Sequence, residues 1–276
     1  MNVRGSLTLA LRYLGIGSGK TVSNARKSLY GAIAGIGISI VPLVIVLVVS
    51  DGMIEGITSR LVELSSSHIH VTDYTGISDI PGDPARMTAL AETIAADNPG
   101  GRVVSATPER QGMAIAIGKK GRSGSTVRAV PQDFFSGNPA LAALVSVKAG
   151  DTALSGERDA VLGQKLASDI GVEVGDGIRL VTMRTGPTGM TIPKFSSFRV
   201  SGIISSGYQE LDALWAFVPY ETGCALLSAE TSANFINVRV TDPFTDIERA
   251  RSWISRDLPD DMAAYNRERL LKKNMP

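Results

Sequence analysis

GAIAGIGISIVPLVIVLVVS, residues 31–50, contains no charged side chain. A run of about 20 apolar residues is long enough to cross the hydrocarbon core of a bilayer as a helix. A soluble core helix rarely goes so far without a polar residue. A secretory signal has an apolar region of roughly 7–15 residues near its start, followed by a small-residue cleavage site. Here thirty residues precede the run, and Asp51, Met53 and Glu55 follow it. The stretch therefore reads as a membrane anchor. Pro42 is tolerated in it, because neighbouring helices, hydroxyls or waters can satisfy the backbone group that a proline frees.

Charge on either side sets the orientation. Arg4, Arg12, Lys20, Arg26 and Lys27 precede the run with no acidic residue among them, whereas Asp51, Glu55 and Glu63 follow it with only Arg60. The positive-inside rule places the N-terminus in the cytoplasm and everything from about residue 51 outside, which in a Gram-negative cell is the periplasm. Over the whole chain 28 basic residues nearly balance 27 acidic ones, so no global field favours nucleic acid. A single cysteine, Cys224, excludes a disulfide-stapled scaffold.

Working outward, residues 6–14 (SLTLALRYL) have the apolar spacing of a short amphipathic helix on the cytoplasmic membrane surface. Met53, Ile57, Leu61 and Leu64 recur about every four residues, so the span should continue as a helical stalk. The expected organisation is a cytoplasmic elbow at 1–28, a transmembrane helix at 29–50 and a stalk at 51–66. A mixed α/β domain at 67–260 and a tail at 261–276 complete it, giving an α+β fold class.

In the external part, alternation predicts strands at 68–72, 102–107, 112–118 and 125–130, with a helix at 84–96 presenting Met87, Leu90, Ala91 and Ile94. A second group has strands at 160–162, 178–182, 198–204, 214–218 and 234–240, and helices near 164–170, 220–227 and 243–258. Between two of these strands lies MRTGPTGMTIPKFSS, residues 183–197, whose glycines and prolines suggest a protruding loop or hairpin extension.

Sites for chemistry are sparse. GIGSGKT at 15–21 is one residue short of a phosphate-binding loop and follows a helical segment rather than a strand. His68 and His70 share one face of a strand, yet zinc wants a third or fourth ligand and only Asp73 is near. No G-x-S-x-G elbow occurs, no further histidine could serve as a base, and Cys224 in YETGCALL reads as a small buried thiol. The acidic pairs Glu210/Asp212 and Asp260/Asp261 flank turns, where solvation is expected. These residues imply no catalytic centre, no cofactor and no metal site.

The 183–197 segment carries the remaining candidate. Pro187, Met190, Ile192, Pro193 and Phe195, rimmed by Arg184 and Lys194, suit recognition of another protein if they stay exposed. The alternative is a plain hairpin whose apolar residues fold back onto the domain.

Three stretches together resemble a known family. They are LALRYL with its basic linker and LYGAIAGIGISIVPLVIVLVVSDGMIEGITSRL, then SSSHIHV, and then AVLGQKLASDIGVEVGDGIRLVT. In the third, a strand ends at Leu162, a short helix packs Leu166, Ala167 and Ile170, and Gly171 permits a left-handed exit. The later FRVSGIISSGYQELDALWAFVPYETGCALL fits the same order. The pattern resembles the MacB/FtsX-type permeases of ABC transporters and, within them, the LolC/LolE lipoprotein-releasing subunits.

The resemblance implies a MacB-type periplasmic core domain, an inner-membrane location and ATP hydrolysis on a separate ABC ATPase subunit. It also implies a periplasmic lipoprotein carrier or lipoprotein cargo as partner. Lipoprotein-releasing permeases carry a hook at the position of 183–197. Pro187, Thr188, Met190, Ile192, Pro193 and Lys194 inherit that partner-binding role by resemblance. Family members continue into three more membrane helices. A second permease subunit, or a missing C-terminal membrane part, is therefore expected to complete the assembly. The rival expectation is a stand-alone membrane-anchored adaptor without transport activity.

Overall fold

The computed structural model describes residues 24–64, 68–73, 83–96, 101–185, 190–228, 231–241, 247–257 and 262–266. The chain divides into two compact units, Met1–Ser59 and Arg60–Pro276.

In the first unit the structure consists of helix α1, which starts at Asn24 and runs to Leu64 in the second. Its segment Tyr30–Ile54 has a mean hydropathy of 2.9, and among the described residues none of its apolar side chains is buried. Bare apolar surface on this scale is unfavourable in water and favourable in lipid, so the bilayer is the solvent this segment fits. Pro42 sits inside the helix without ending it. Helix geometry thus covers the expected span at 29–50 and the expected stalk as far as Leu64. Of the 1–28 elbow, residues 1–23 lie outside the described residues, as does the GIGSGKT motif.

The second unit contains, in chain order, β1 (Ile69–Asp73), α2 (Pro84–Ala96), β2 (Val103–Ile117), β3 (Arg122–Val130), α3 (Pro139–Leu144), β4 (Ser146–Gly150), β5 (Asp159–Gly163) and α4 (Gln164–Ile170). Then follow β6 (Gly177–Thr185), β7 (Thr191–Ser205), α5 (Gln209–Asp212), β8 (Trp215–Pro219), α6 (Tyr220–Leu226), β9 (Ser232–Val240), α7 (Ile247–Asp257) and β10 (Met262–Asn266). The described strands form one sheet in the order β10-β1-β9-β2-β3-β8-β5-β7-β4, with β6 bridging β2 and β7.

That bridge closes a circuit. β2 pairs with β3, β3 with β8, β8 with β5, β5 with β7, β7 with β6, and β6 returns to β2. The length of β7 makes closure possible. Its residues 191–199 pair with β6, while 199–204 pair with β5. Closure removes the free edge only along the stretches that have a partner on both sides.

Burial follows the pairing. β5 and β8 are buried at every position, and as expected for strands covered on both faces they read as continuous apolar runs. Leu162 and Val218 join the larger core cluster, with Ala114, Ala116, Leu180 and Phe198. Their neighbours Val161 and Phe217 join a second cluster with Phe134, Phe135, Trp215 and Leu64, the last residue of α1. Helix α4 adds Leu166, Ala167 and Ile170 to the larger core, and the chain leaves it through Gly171 at φ +68°. Gly118 must be glycine for a different reason: a Cβ there would meet the Ile170 carbonyl oxygen at 2.5 Å.

Three features differ from the sequence expectations. The strands expected at 102–107 and 112–118 are one strand, because β2 pairs with β9 straight through Pro108, opposite Ile236. Helix α3 and strand β4 are additions. α3 has Pro139 in its first turn and Asn138 as its N-cap, whose Oδ1 accepts from the Leu141 N–H at 3.2 Å. β10 lies within 261–276, the expected tail, and its ladder to β1 carries the sheet beyond residue 260.

Candidate functional site

β6 and β7 form an antiparallel hairpin whose register runs from Gly177↔Arg199 to Thr185↔Thr191. Its outer half has no second neighbour, since β5 joins β7 only from Arg199 onward. Such a strand accommodates Pro193, whose missing N–H is tolerated where one side of the strand is open. The expected loop at 183–197 is therefore a hairpin extension, as its turn residues suggested.

Its apolar residues do not fold back onto the domain. Met183 is 52% exposed, Met190 68%, Ile192 42% and Phe195 59%. Alternation splits the candidates between two faces. Pro193 and Phe195 share one parity, Ile192 and Lys194 the other. Lys194 has a use within the chain, because its ammonium donates to the Ala225 carbonyl near the end of α6. Thr182, paired with Lys194 across the hairpin, donates to the neighbouring Leu226 carbonyl at 3.0 Å. Two side chains thus satisfy helix-end carbonyls and fasten the hairpin base to α6. Pro187 and Thr188 lie outside the described residues.

The remaining sequence candidates resolve individually. His68 is buried, and its Nδ1 accepts the Val240 N–H at 3.1 Å. Burial and the nearby Arg239 cation hold its pKa down at about 4. His70 stacks on Phe235 with ring centroids 4.5 Å apart. No group of three metal-ligating His, Cys, Asp or Glu side chains occurs among the described residues. Cys224 is buried in α6, and desolvation pushes its thiol pKa up, opposite to what a reactive cysteine needs.

One expectation is corrected. Asp212 is not solvated but buried: it accepts from Ser205 Oγ at 2.7 Å and from the N–H and Oγ of Ser206 at 2.8 and 2.7 Å. The carboxylate pins the turn between β7 and α5. Its paired Glu210 is exposed, and Asp260 and Asp261 lie outside the described residues.

Sequence reading missed a buried polar group in the sheet. Arg128 on β3 donates to both oxygens of Glu109 on β2, at 2.6 and 2.8 Å, and Asn237 on β9 donates to Glu109 Oε2 at 2.6 Å. The Arg128 guanidinium also lies 5.0 Å from the Phe217 ring centroid, 5.6 Å from Phe134 and 5.8 Å from Trp215. Cation–π attraction and a bidentate carboxylate offset the desolvation of this charge. The available signal was Thr-Pro-Glu-Arg at 107–110, charges set inside an apolar strand.

Comparison with known proteins follows the same outline. Residues 31–256 match the family described as MacB-like periplasmic core domain. Two proteins called "Lipoprotein-releasing system transmembrane protein LolC", both from Xylella fastidiosa, are similar to the chain. The protein of strain Temecula1 is 29% identical over 191 residues and that of strain 9a5c is 30% identical over 193. Each alignment covers 69% of this chain and 44% of the relative, so the chain spans less than half the length of these relatives. Among solved structures, the periplasmic region of MacB from Actinobacillus actinomycetemcomitans aligns at TM-score 0.49 and 14% identity, over 79% of this chain and 99% of that one. The extracellular domain of the noncanonic ABC-type transporter YknZ from Gram-positive bacteria aligns at 0.47 and 13%, over 72% and 99%. Because the family match takes in most of its length, from the apolar helix through α7, the chain belongs to the family with a MacB-like periplasmic core domain.

Proposed function

We propose that the chain is a permease subunit, or the N-terminal portion of one, in an ABC transporter that releases lipoproteins from the bacterial inner membrane. The observation that carries this reading is a family match beginning in the apolar helix at residue 31 and continuing through the external sheet to 256. The LolC name of the two relatives supplies the lipoprotein-release element. In this reading α1 crosses the inner membrane with its N-terminus in the cytoplasm, as the charge asymmetry favours. The sheet domain lies in the periplasm.

A separate ATPase subunit hydrolyses ATP, and a second permease subunit or further membrane helices complete the pore. α1 transmits motion toward the domain, where Leu64 sits in the cluster that holds Phe217 and Trp215. The β6–β7 hairpin, through Met190, Ile192 and Pro193 and through Pro187 and Thr188 of the intervening sequence, engages the periplasmic carrier or the lipoprotein itself. Lys194 holds the hairpin base in this arrangement.

Depletion in the native cell is the test. Outer-membrane lipoproteins should accumulate in the inner-membrane fraction, while outer-membrane proteins without lipid anchors sort normally. Unchanged lipoprotein sorting would refute lipoprotein release and favour the anchored adaptor, to which the exposed hairpin is equally suited.

A further inference from the structure

Arg110 is a buried cation without a counter-charge. Its side chain is 1% exposed, and the adjacent Glu109, which points to the other face of β2, is taken by Arg128. Arg110 Nε donates to Ser232 Oγ at 2.9 Å, and among the described residues no carboxylate lies within ion-pair distance of the guanidinium. Buried charges are ordinarily paired, because taking one out of water alone is strongly unfavourable.

The side chains around Arg110 close a ring. Asn234 on β9 lies directly opposite it in the register, so the two share a face with Cβ atoms about 5 Å apart. The Tyr220 hydroxyl donates to Asn234 Oδ1 at 3.2 Å. Tyr220 and the guanidinium both come within hydrogen-bonding reach of the Cys224 thiol, which burial keeps protonated. Helix α6, which carries Tyr220 and Cys224, covers the ring closely. A Cβ at Gly223 would collide with that of Ala129, the other cross-strand neighbour of Arg110.

Inside the ring donors outnumber acceptors. A guanidinium has only donors, and a thiol accepts weakly. Asn234 Nδ2 is buried with no hydrogen-bond partner, in a side chain that is 7% exposed. A positive charge and an unused amide donor therefore lie side by side, with no full acceptor for either. A buried donor left in this way calls for an ion or a water that satisfies it, and water does not neutralise the charge.

We propose that the ring of Arg110, Asn234, Tyr220 and Cys224 binds a small monovalent anion, chloride in the ordinary case. One negative charge neutralises the guanidinium, and the ion accepts from Arg110 and from Asn234 Nδ2. A divalent anion would leave a net negative charge in the core, and the close approach of α6 excludes an anion much larger than a halide. The bound ion ties β2 and β9 to α6, the helix whose Ala225 and Leu226 carbonyls hold the hairpin base. The proposal does not depend on the transport reading.

Thermal unfolding of the full chain in detergent tests it, with chloride exchanged for gluconate at fixed pH and ionic strength. Chloride and bromide should each raise Tm saturably over gluconate, by roughly 5 °C at about one hundred times the dissociation constant. Arg110→Met should abolish this response. Asn234→Asp supplies the negative charge from within the chain, so in gluconate it should reach the chloride-loaded Tm and gain nothing from halide. That near-isosteric change keeps the test readable where Arg110→Met fails to fold. Equal Tm in chloride and gluconate would overturn the proposal, because it is the result expected where Asn234 turns Oδ1 toward Arg110 or where Cys224 itself carries the charge. A halide response that survives in Asn234→Asp would overturn it as well, since the ion would then bind elsewhere.

Discussion

Glu109 and Arg128 form a bidentate ion pair in which neither side chain reaches solvent appreciably, the carboxylate lying on β2 and the guanidinium on the adjacent β3. Asn237 supplies a third bond to the same carboxylate from β9, so one acid ties three neighbouring strands together. A pair of this kind gives little net stability against an apolar replacement, but removing one member strands a charge.

Glu109→Ala should therefore destabilise the domain by about 3–5 kcal/mol. The double substitution Glu109→Leu with Arg128→Met should recover most of that loss. Urea unfolding of the full chain in detergent, followed by the fluorescence of Trp215 beside Arg128, provides the measurement. Equal losses in the single and double variants would show that the charge pair itself stabilises the sheet.

His68 makes stability depend on pH in a defined direction. Its folded pKa of about 4 lies below the ordinary 6.5, so between those values the unfolded chain holds a proton that the folded one does not. The contribution is complete above pH 6.5 and is lost as pH falls toward 4, roughly 2 kcal/mol after allowance for solvent screening. His68→Gln should flatten the Tm profile between pH 4 and 6.5. A slope that persists in this variant would assign the effect to other groups.

Gly171 ends α4 at φ +68°, and an added Cβ there meets the Lys120 side chain. Gly171→Ala should cost about 1–2 kcal/mol, since left-handed backbone is unfavourable for any L side chain. Asparagine, which tolerates this region better, should cost less. The same unfolding assay ranks the three forms, and equal stability of glycine and alanine would contradict the account.

Asp212 receives three hydrogen bonds in the turn after β7, and Asp212→Ala leaves the Ser206 N–H and Oγ without their buried acceptor. A loss of about 2–3 kcal/mol is expected, with faster hydrogen exchange at Ser206 and Gly207. Glu210→Ala, at an exposed position nearby, should change neither.

What could be read from the sequence divides by range. The apolar helix, the Met87–Ala91–Ile94 face of α2 and the left-handed exit at Gly171 are local, each determined by residues within a few positions of one another. The hairpin was legible through its turn residues and the exposure of its apolar side chains was not, because exposure depends on whether another element covers them. Closure of the ring depends on Ile115 meeting Val181, and the buried charge on Glu109 meeting Asn237. The first pairing leaves no local trace, and the second leaves only the charges at 109 and 110 inside an otherwise apolar strand. Asp212 departs from the usual solvation of a carboxylate beside a turn, because the return of Ser205 and Ser206 over it encloses it. β10 carries little local signal because this short strand draws its order from β1, almost two hundred residues earlier.

The central claim is that the chain works as part of a transporter driven by a separate ATPase. Affinity purification of the full chain from native membranes in mild detergent, with quantitative mass spectrometry, tests it most directly. The account predicts that an ABC ATPase copurifies in a fixed ratio to the chain, and that a nonhydrolysable ATP analogue leaves the association intact. Recovery of the chain with periplasmic proteins alone, and no ATPase above background, would contradict it.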